Sequence, residues 1–269
     1  MSDSGSNRGA RLAGLVDPDR VAPDDAPRLA ARLADAGFDL ILLGTSRSER
    51  RREDAVARAL HGATRLPLVL FPGSAEHLTP HADALLFLTL LSGRNPEFLV
   101  GEQVRAARRV RALGLRAIPT AYLLIDGGRV STVERVTGTA PIARDDVDAL
   151  VDHAIAAELL GLSAVYLEAG SGAAHSVSPA AVRAVRDATQ LSIFVGGGLR
   201  TPDDCAALAA AGADTLVVGT VIEEGAGDAL LRDLADATHG AGCAAARMPE
   251  HAAERAVPPS ARRAAERLT

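Results

Sequence analysis

Short apolar segments of strand length alternate with longer segments of helical spacing along most of this chain, and this alternation constrains the fold more than any other feature. Alternating strands and helices indicate a parallel sheet, because each parallel neighbour is reached through a helical crossover. We count about eight such pairs in 269 residues, which favours a closed barrel over an open doubly wound sheet, since an eight-pair barrel typically takes ~250 residues.

The third pair departs from this alternation. Residues 68–71 and 84–88 have the apolar character of strands, but residues 75–81 between them are too few and too polar for a full helix. The sequence therefore predicts an α/β fold of the TIM (β/α)8 type in which the helix after strand 3 is missing or stunted. Residues 130–136 are rich in β-branched side chains and are a candidate for an added strand.

Composition predicts one barrel domain between two tails. Residues 1–11 are polar and rich in glycine and serine, which is typical of a disordered tail; residues 12–238 form the barrel, and residues 239–269 form a tail rich in alanine and arginine. No segment resembles a signal peptide or reaches the length of a bilayer span, so we expect a cytoplasmic protein without an integral membrane segment. The net charge of −5 gives no overall positive field for nucleic acid.

Three successive strands in the second half of the chain end in small, glycine-rich turns. Glycine lets backbone N–H groups approach an anion closely, and the helices that follow add their positive N-termini. Any one of these turns could simply be tight. Three of them at the carboxyl end of consecutive barrel strands favour a phosphate site. The donors would come from Gly170, Ser171, Gly172, Gly197, Gly198, Gly219 and Thr220.

Other polar residues fall at the same predicted end of the barrel. Asp17 ends the first strand and Ser46 follows the second; they could hold Mg²⁺, or they could be an Asp-Pro turn and a helix cap. Glu168 ends a strand and could act as a base or form a structural salt bridge. The two tyrosines, Tyr122 and Tyr166, lie in strands that point to this end, where we favour a site role over core packing.

Several kinds of chemistry are excluded by residues that the sequence lacks. All 29 basic residues other than histidine are arginine, so no lysine can form a Schiff base. The two cysteines, Cys205 and Cys243, have neither a CxxC neighbour nor zinc spacing. No GxSxG nucleophile motif is present.

Taken together, the motifs resemble those of the geranylgeranylglyceryl phosphate synthase family over about residues 12–223. The most specific is YLEAGSGA at 166–173. The others are LVDPD at 15–19, LGTS at 43–46, LFPGS at 70–74, LSGRNP at 91–96, VGGGLRT at 195–201, GAD at 212–214 and VGT at 218–220.

This resemblance implies a fold and an activity. The fold is a modified barrel in which an extended segment replaces one helix. The activity is Mg²⁺-dependent transfer of a prenyl group from geranylgeranyl diphosphate to the C3 hydroxyl of sn-glycerol 1-phosphate, the first ether-bond step of archaeal-type lipids. The resemblance also implies a homo-oligomer, a dimer or a hexamer. Peripheral contact with a membrane, for access to the prenyl substrate, stays open.

The resemblance also assigns residues to roles. Asp17 and Ser46 would hold Mg²⁺, Glu168 with Tyr166 would carry the catalysis, and Tyr122 and Arg20 would lie on the prenyl diphosphate side. The glycerol phosphate would be bound by Tyr166, Leu167, Glu168, Ala169, Gly170, Ser171, Gly172, Gly197, Gly198, Gly219 and Thr220.

Two departures from the family pattern carry expectations of their own. Ala121 stands where many members have glycine, and we expect its methyl group to narrow the prenyl groove. Arg20 stands where some relatives have lysine, which keeps the charge but changes the donor geometry.

Three alternatives stay open: a flavin-mononucleotide oxidoreductase or sugar-phosphate isomerase on the same barrel, a non-catalytic phosphate-binding barrel, and the same chemistry with another prenyl chain length.

Overall fold

The computed structural model describes residues 9–45 and 52–245, and eight parallel strands close into a barrel in chain order. The strands are β1 (Arg11–Val16), β2 (Leu40–Leu43), β3 (Leu68–Leu70), β4 (Ala84–Leu90), β5 (Arg116–Leu124), β6 (Ala164–Glu168), β7 (Ser192–Gly196) and β8 (Thr215–Val218). Strand β1 pairs with both β2 and β8, which closes the ring. The predicted TIM barrel is therefore confirmed.

Helices surround this barrel. They are α1 (Ala26–Asp35), α2 (Glu53–Ala63), α3 (Glu102–Ala112), α4 (Thr132–Thr137), α5 (Val147–Leu159), α6 (Pro179–Ala188), α7 (Pro202–Ala210), α8 (Thr220–Glu223) and α9 (Asp228–Ala245). A π-helical turn, Glu97–Gly101, precedes α3. Helices α4, α5, α6 and α7 each begin at a residue whose side chain caps the helix. Thr201 is the N-cap of α7 and forms a capping box with Asp204. Pro202 follows the cap, at a position where an N–H group would have no partner within the helix. Within residues 9–45 and 52–245, no helix combines the length and the apolar character that a membrane span requires.

Side chains that alternate along each strand divide the core into two layers. Inward residues such as Leu42, Tyr166 and Phe194 fill the barrel, whereas outward residues such as Ile41 and Leu167 pack beneath the helices. This division follows from the two-residue period of a strand. It places Tyr122, Tyr166 and Glu168 on the inner face.

An extended segment, residues 71–83, takes the place of a helix between β3 and β4. Polar contacts to both neighbouring helices hold it. The Ala75 N–H donates to Glu102 of α3 at 2.6 Å, and the Thr79 hydroxyl donates to Asp54 of α2 at 2.8 Å. The predicted replacement of the helix after strand 3 is confirmed, and it leaves a path between β4 and α3.

One element and two boundaries differ from the sequence prediction. The predicted added strand at residues 130–136 is wrong: most of it is helix α4, because Ser131 and Glu134 form a capping box that starts a helix despite the β-branched content. Helix α9 continues to Ala245, past the predicted start of the tail at residue 239. Strand β1 begins at Arg11, within the predicted N-terminal tail.

Candidate active site

A cavity of about 250 Å³ opens at the carboxyl ends of the strands and extends along β4 toward α3 and α4. Its inner end is polar and is lined by residues from β5, β6 and the turns after β1, β2, β6, β7 and β8. Its outer arm is apolar. The polar end collects Asp17, Arg20, Thr45, Tyr122, Tyr166, Glu168, Ser171, Gly197, Gly198, Gly219, Thr220 and Glu223.

Glu168 is the buried carboxyl group of the polar end. It is the last residue of β6 and only 6% exposed. The Gly170 N–H donates to its Oε1 at 2.6 Å. Burial raises the pKa of Glu168 to about 7, against the opposing effects of this hydrogen bond and of the Tyr122 and Tyr166 hydroxyls. A carboxyl group with such a pKa can exchange a proton near neutral pH.

Tyr122 and Tyr166 lie side by side because β5 and β6 pair at these two residues. Their rings stack with centroids 5.5 Å apart, and Tyr166 also stacks on Phe71 at 4.7 Å. Burial, and then the nearby Glu168 carboxyl group, raise the pKa of both tyrosines, so both stay protonated. By distance and angle the buried Tyr166 hydroxyl makes no hydrogen bond within the described residues, although it lies close enough to Glu168 to lower the pKa of that carboxyl group. The hydroxyl can therefore still donate to a ligand in the cavity.

Gly197 brings the turn after β7 against the turn after β6. Its φ is +83°, and a Cβ at this position would lie 2.6 Å from both Glu168 Oε1 and the Gly170 nitrogen. A larger residue would therefore be strained and would also collide with the Glu168 carboxylate. The close approach lets two backbone turns face the same small volume.

The structure brings together most, but not all, of the residues predicted for glycerol phosphate. Ser171, Gly197, Gly198, Gly219 and Thr220 line the cavity beside Glu168 and Tyr166. The side chains of Leu167 and Ala169 point outward into the layer beneath the helices and do not line it. Gly170 and Gly172 are absent from the lining and have positive φ angles, +98° and +68°, that shape the loop around Ser171.

Asp17 directly follows β1 and lines the mouth of the cavity. Its Oδ1 accepts a hydrogen bond from the Asp19 N–H at 2.8 Å, and its carboxylate accepts another from the Thr45 hydroxyl. Burial raises the pKa of Asp17. Ser46, its predicted partner, lies outside the described residues. The sequence did not single out Thr45, whose only signal was its place in the turn after strand 2.

Arg20 and Glu223 complete the polar end. Arg20 Nη1 lies 3.0 Å from Glu223 Oε2, and Arg20 Nε lies 3.9 Å from Asp17 Oδ2. Burial raises the pKa of Glu223, and Arg20 opposes this. The sequence does not indicate a role for Glu223, because a glutamate at the end of a one-turn helix carries no pattern of its own. In the described ranges, no group of three or more acidic, histidine or cysteine side chains is arranged to hold a metal ion.

The apolar arm occupies the path left by the missing helix. Its walls come from the extended segment, β4, the π-helical turn, α3 and α4, through Leu78, Leu85, Phe87, Leu88, Phe98, Ala106, Val133 and Val136. The sequence signalled this arm only through the stunted third unit.

Ala121 is fully buried in the outer layer and does not line the cavity, so the expectation that its methyl group narrows the groove is wrong.

Comparison with known proteins identifies relatives over nearly the whole barrel. The model of the PcrB family matches residues 8–238. Geranylgeranylglyceryl phosphate synthase from Korarchaeum cryptofilum is 42% identical over 214 residues, which cover 80% of this chain and 88% of that protein. The enzyme of the same name from Chitinophaga pinensis is 40% identical over 230 residues, 86% of this chain and 90% of that protein.

A solved structure resembles this one closely. It is the crystal structure of (S)-3-O-geranylgeranylglyceryl phosphate synthase from Thermoplasma acidophilum in complex with its substrate sn-glycerol 1-phosphate. The two chains superpose with a TM-score of 0.82 at 37% identity, covering 86% of this chain and 94% of that one.

Proposed function

The chain belongs to the PcrB family, and from this premise we propose that its cavity transfers a geranylgeranyl group from geranylgeranyl diphosphate to the C3 hydroxyl of sn-glycerol 1-phosphate. It is a prenyltransferase. The observation that carries the proposal is the position of Glu168, a buried carboxyl group with a pKa of about 7 between glycine turns and an apolar groove. Such a site suits an acceptor with a phosphate and a donor with a hydrocarbon chain.

The glycerol phosphate binds at the polar end of the cavity. Its phosphate lies against the turns after β7 and β8, where Gly197, Gly198 and Thr220 present N–H and hydroxyl donors. This fixes the glycerol so that its C3 hydroxyl faces Glu168, while the Tyr166 hydroxyl donates to the bound glycerol. Fixing the hydroxyl in one orientation removes much of the entropic barrier to its attack.

The transfer forms one C–O bond and breaks another. As the C3 oxygen attacks the allylic carbon, its proton passes to ionised Glu168, and the diphosphate leaves with the electron pair of the broken bond. The apolar walls around Phe87, Phe98 and Val133 keep water from the electron-poor carbon. They also bind the hydrocarbon chain, at ~0.8 kcal/mol per buried CH₂ group.

The residues near Asp17 fit a magnesium ion. Mg²⁺ prefers hard oxygen ligands and needs few protein carboxylates when substrate phosphates and waters complete its shell. The half-buried Asp17 carboxylate and the Thr45 hydroxyl beside it supply such oxygens. A bound Mg²⁺ would neutralise charge on the leaving diphosphate. Asp17 and Thr45 are the residues of this cavity that would hold it.

Mass spectrometry of the products tests this function. The protein is incubated with sn-glycerol 1-phosphate, Mg²⁺ and a ladder of prenyl diphosphates. We expect geranylgeranylglyceryl phosphate as the main product. A yellow protein as purified, or turnover without a prenyl donor, would instead favour a flavin oxidoreductase or an isomerase. A dimeric or hexameric assembly and a cytoplasmic location stay predictions.

A further inference from the structure

Arg20 and Glu223 form an ion pair at the mouth of the cavity, and the two partners differ in how firmly they are held. The side chain of Glu223 is 15% exposed, whereas that of Arg20 is 63% exposed, and both line the cavity. The Glu223 N–H also donates to the Gly219 carbonyl at 3.0 Å, within the turn that follows β8. Glu223 is therefore the more buried partner, on a backbone held by the turn, and Arg20 is the more exposed partner on the cavity lining.

Asp17 is poorly placed to hold Arg20 during turnover. It lies 3.9 Å from Arg20 Nε, beyond hydrogen-bond distance, and it is the proposed magnesium ligand. A carboxylate engaged by a divalent cation attracts a guanidinium less strongly. Glu223, whose Oε2 lies 3.0 Å from Arg20 Nη1, remains to fix the orientation of this side chain.

We propose that Glu223 is a positioning residue that holds Arg20 in the orientation that binds the diphosphate of the prenyl donor. The inference rests on the proposed function and adds a residue to it. A guanidinium carries five N–H donors in a planar fork, so Arg20 can bind Glu223 and a phosphate oxygen at the same time. Holding the side chain before the donor arrives reduces the rotamer entropy lost on binding. The negative charge of Glu223 also repels the diphosphate, and the proposal requires positioning to outweigh this repulsion.

Glu223→Gln tests the proposal, because it removes the charge and keeps the size. We expect the KM for geranylgeranyl diphosphate to rise about three- to tenfold, which corresponds to ~0.7–1.4 kcal/mol. Equilibrium binding of inorganic diphosphate in the presence of Mg²⁺, measured by calorimetry, should weaken by a similar factor. The KM for sn-glycerol 1-phosphate and kcat should stay within about twofold of wild type. In an Arg20→Ala background, Glu223→Gln should cause no further loss.

Glu224→Gln is the matched control. Glu224 is the next residue, and its Oε2 pairs with Arg200 Nη1 at 2.9 Å outside the cavity. This variant should bind inorganic diphosphate as wild type does. The proposal would be overturned if Glu223→Gln lowered the KM for the prenyl donor or left it unchanged. It would also be overturned if Glu223→Gln had the same effect with and without Arg20. Failure of the wild type to transfer any prenyl group would refute the proposed function alone, since binding of inorganic diphosphate still tests the Arg20–Glu223 pair.

Discussion

Glu168→Gln should make this protein more stable and less active at the same pH. Burial raises the pKa of Glu168 from 4.5 to about 7, so the folded protein retains a proton that the unfolded chain has lost between these two values. The free energy of unfolding therefore falls as the pH rises through this window. Above pH 7 the loss due to Glu168 is complete, and the free energy falls no further on its account. At about 1.4 kcal/mol per pKa unit, the ionised carboxylate costs the empty fold ~3 kcal/mol at pH 8.

Glutamine keeps the size of Glu168 and removes its ionisation. At pH 5, where Glu168 is protonated in the folded protein, the free energies of unfolding of the variant and wild type should differ by less than about 1 kcal/mol. At pH 8 the variant should be more stable by up to ~3 kcal/mol. Activity should move the other way: loss of the general base should lower kcat about 100- to 10,000-fold. In the wild type, kcat/KM should rise with pH up to about 7 and then level off.

Chemical denaturation at pH 5 and pH 8, together with product formation at pH 8, measures both effects. Glu134→Gln is the control, because Glu134 lies outside the cavity and glutamine can also complete its capping box with Ser131. It should show neither effect. Equal stability of Glu168→Gln and wild type at both pH values, with activity retained, would refute the account of Glu168 as a buried, ionisable base.

Three further substitutions test other parts of the cavity. Gly197→Ala should abolish glycerol phosphate binding in calorimetry, because its Cβ would lie 2.6 Å from Glu168 Oε1; Gly114→Ala, at a positive φ but with no atom within 4 Å, should leave binding intact. Asp17→Asn should raise the Mg²⁺ concentration needed for half-maximal activity at least about tenfold, and an unchanged magnesium titration would exclude Asp17 as a ligand. Val133→Asp should lower kcat/KM for the long prenyl donor at least about tenfold without changing the Kd of glycerol phosphate, and an equal loss for both would place the donor elsewhere.

Much of the polar end could be predicted from sequence because it follows from strand periodicity. Glu168 and Tyr166 are two residues apart, so they share the inner face of a strand, and the glycine turns follow directly at its end. Thr45 and Glu223 could not be predicted in this way. Their proximity to Asp17 depends on how β1, β2 and β8 close the barrel, which no local pattern encodes.

The apolar arm of the cavity shows the limit of local reasoning more clearly. The polar character of residues 75–81 correctly predicted a missing helix. Which side chains line the resulting path depends on how α3 and α4 pack across it, and residues 130–136 were misread as a strand. Their β-branched content was outweighed by one capping box at Ser131, a signal worth ~1 kcal/mol that could have been read from the Ser-x-x-Glu spacing.

The most direct test of the account is a crystal structure of this protein with sn-glycerol 1-phosphate and a non-reactive prenyl thiodiphosphate. We predict the glycerol phosphate against the turns at Gly197 and Thr220, with its C3 hydroxyl within about 3 Å of the Glu168 carboxylate and the prenyl chain along Phe98 and Val133. A C3 hydroxyl directed away from Glu168, or a prenyl chain bound outside this groove, would contradict the account.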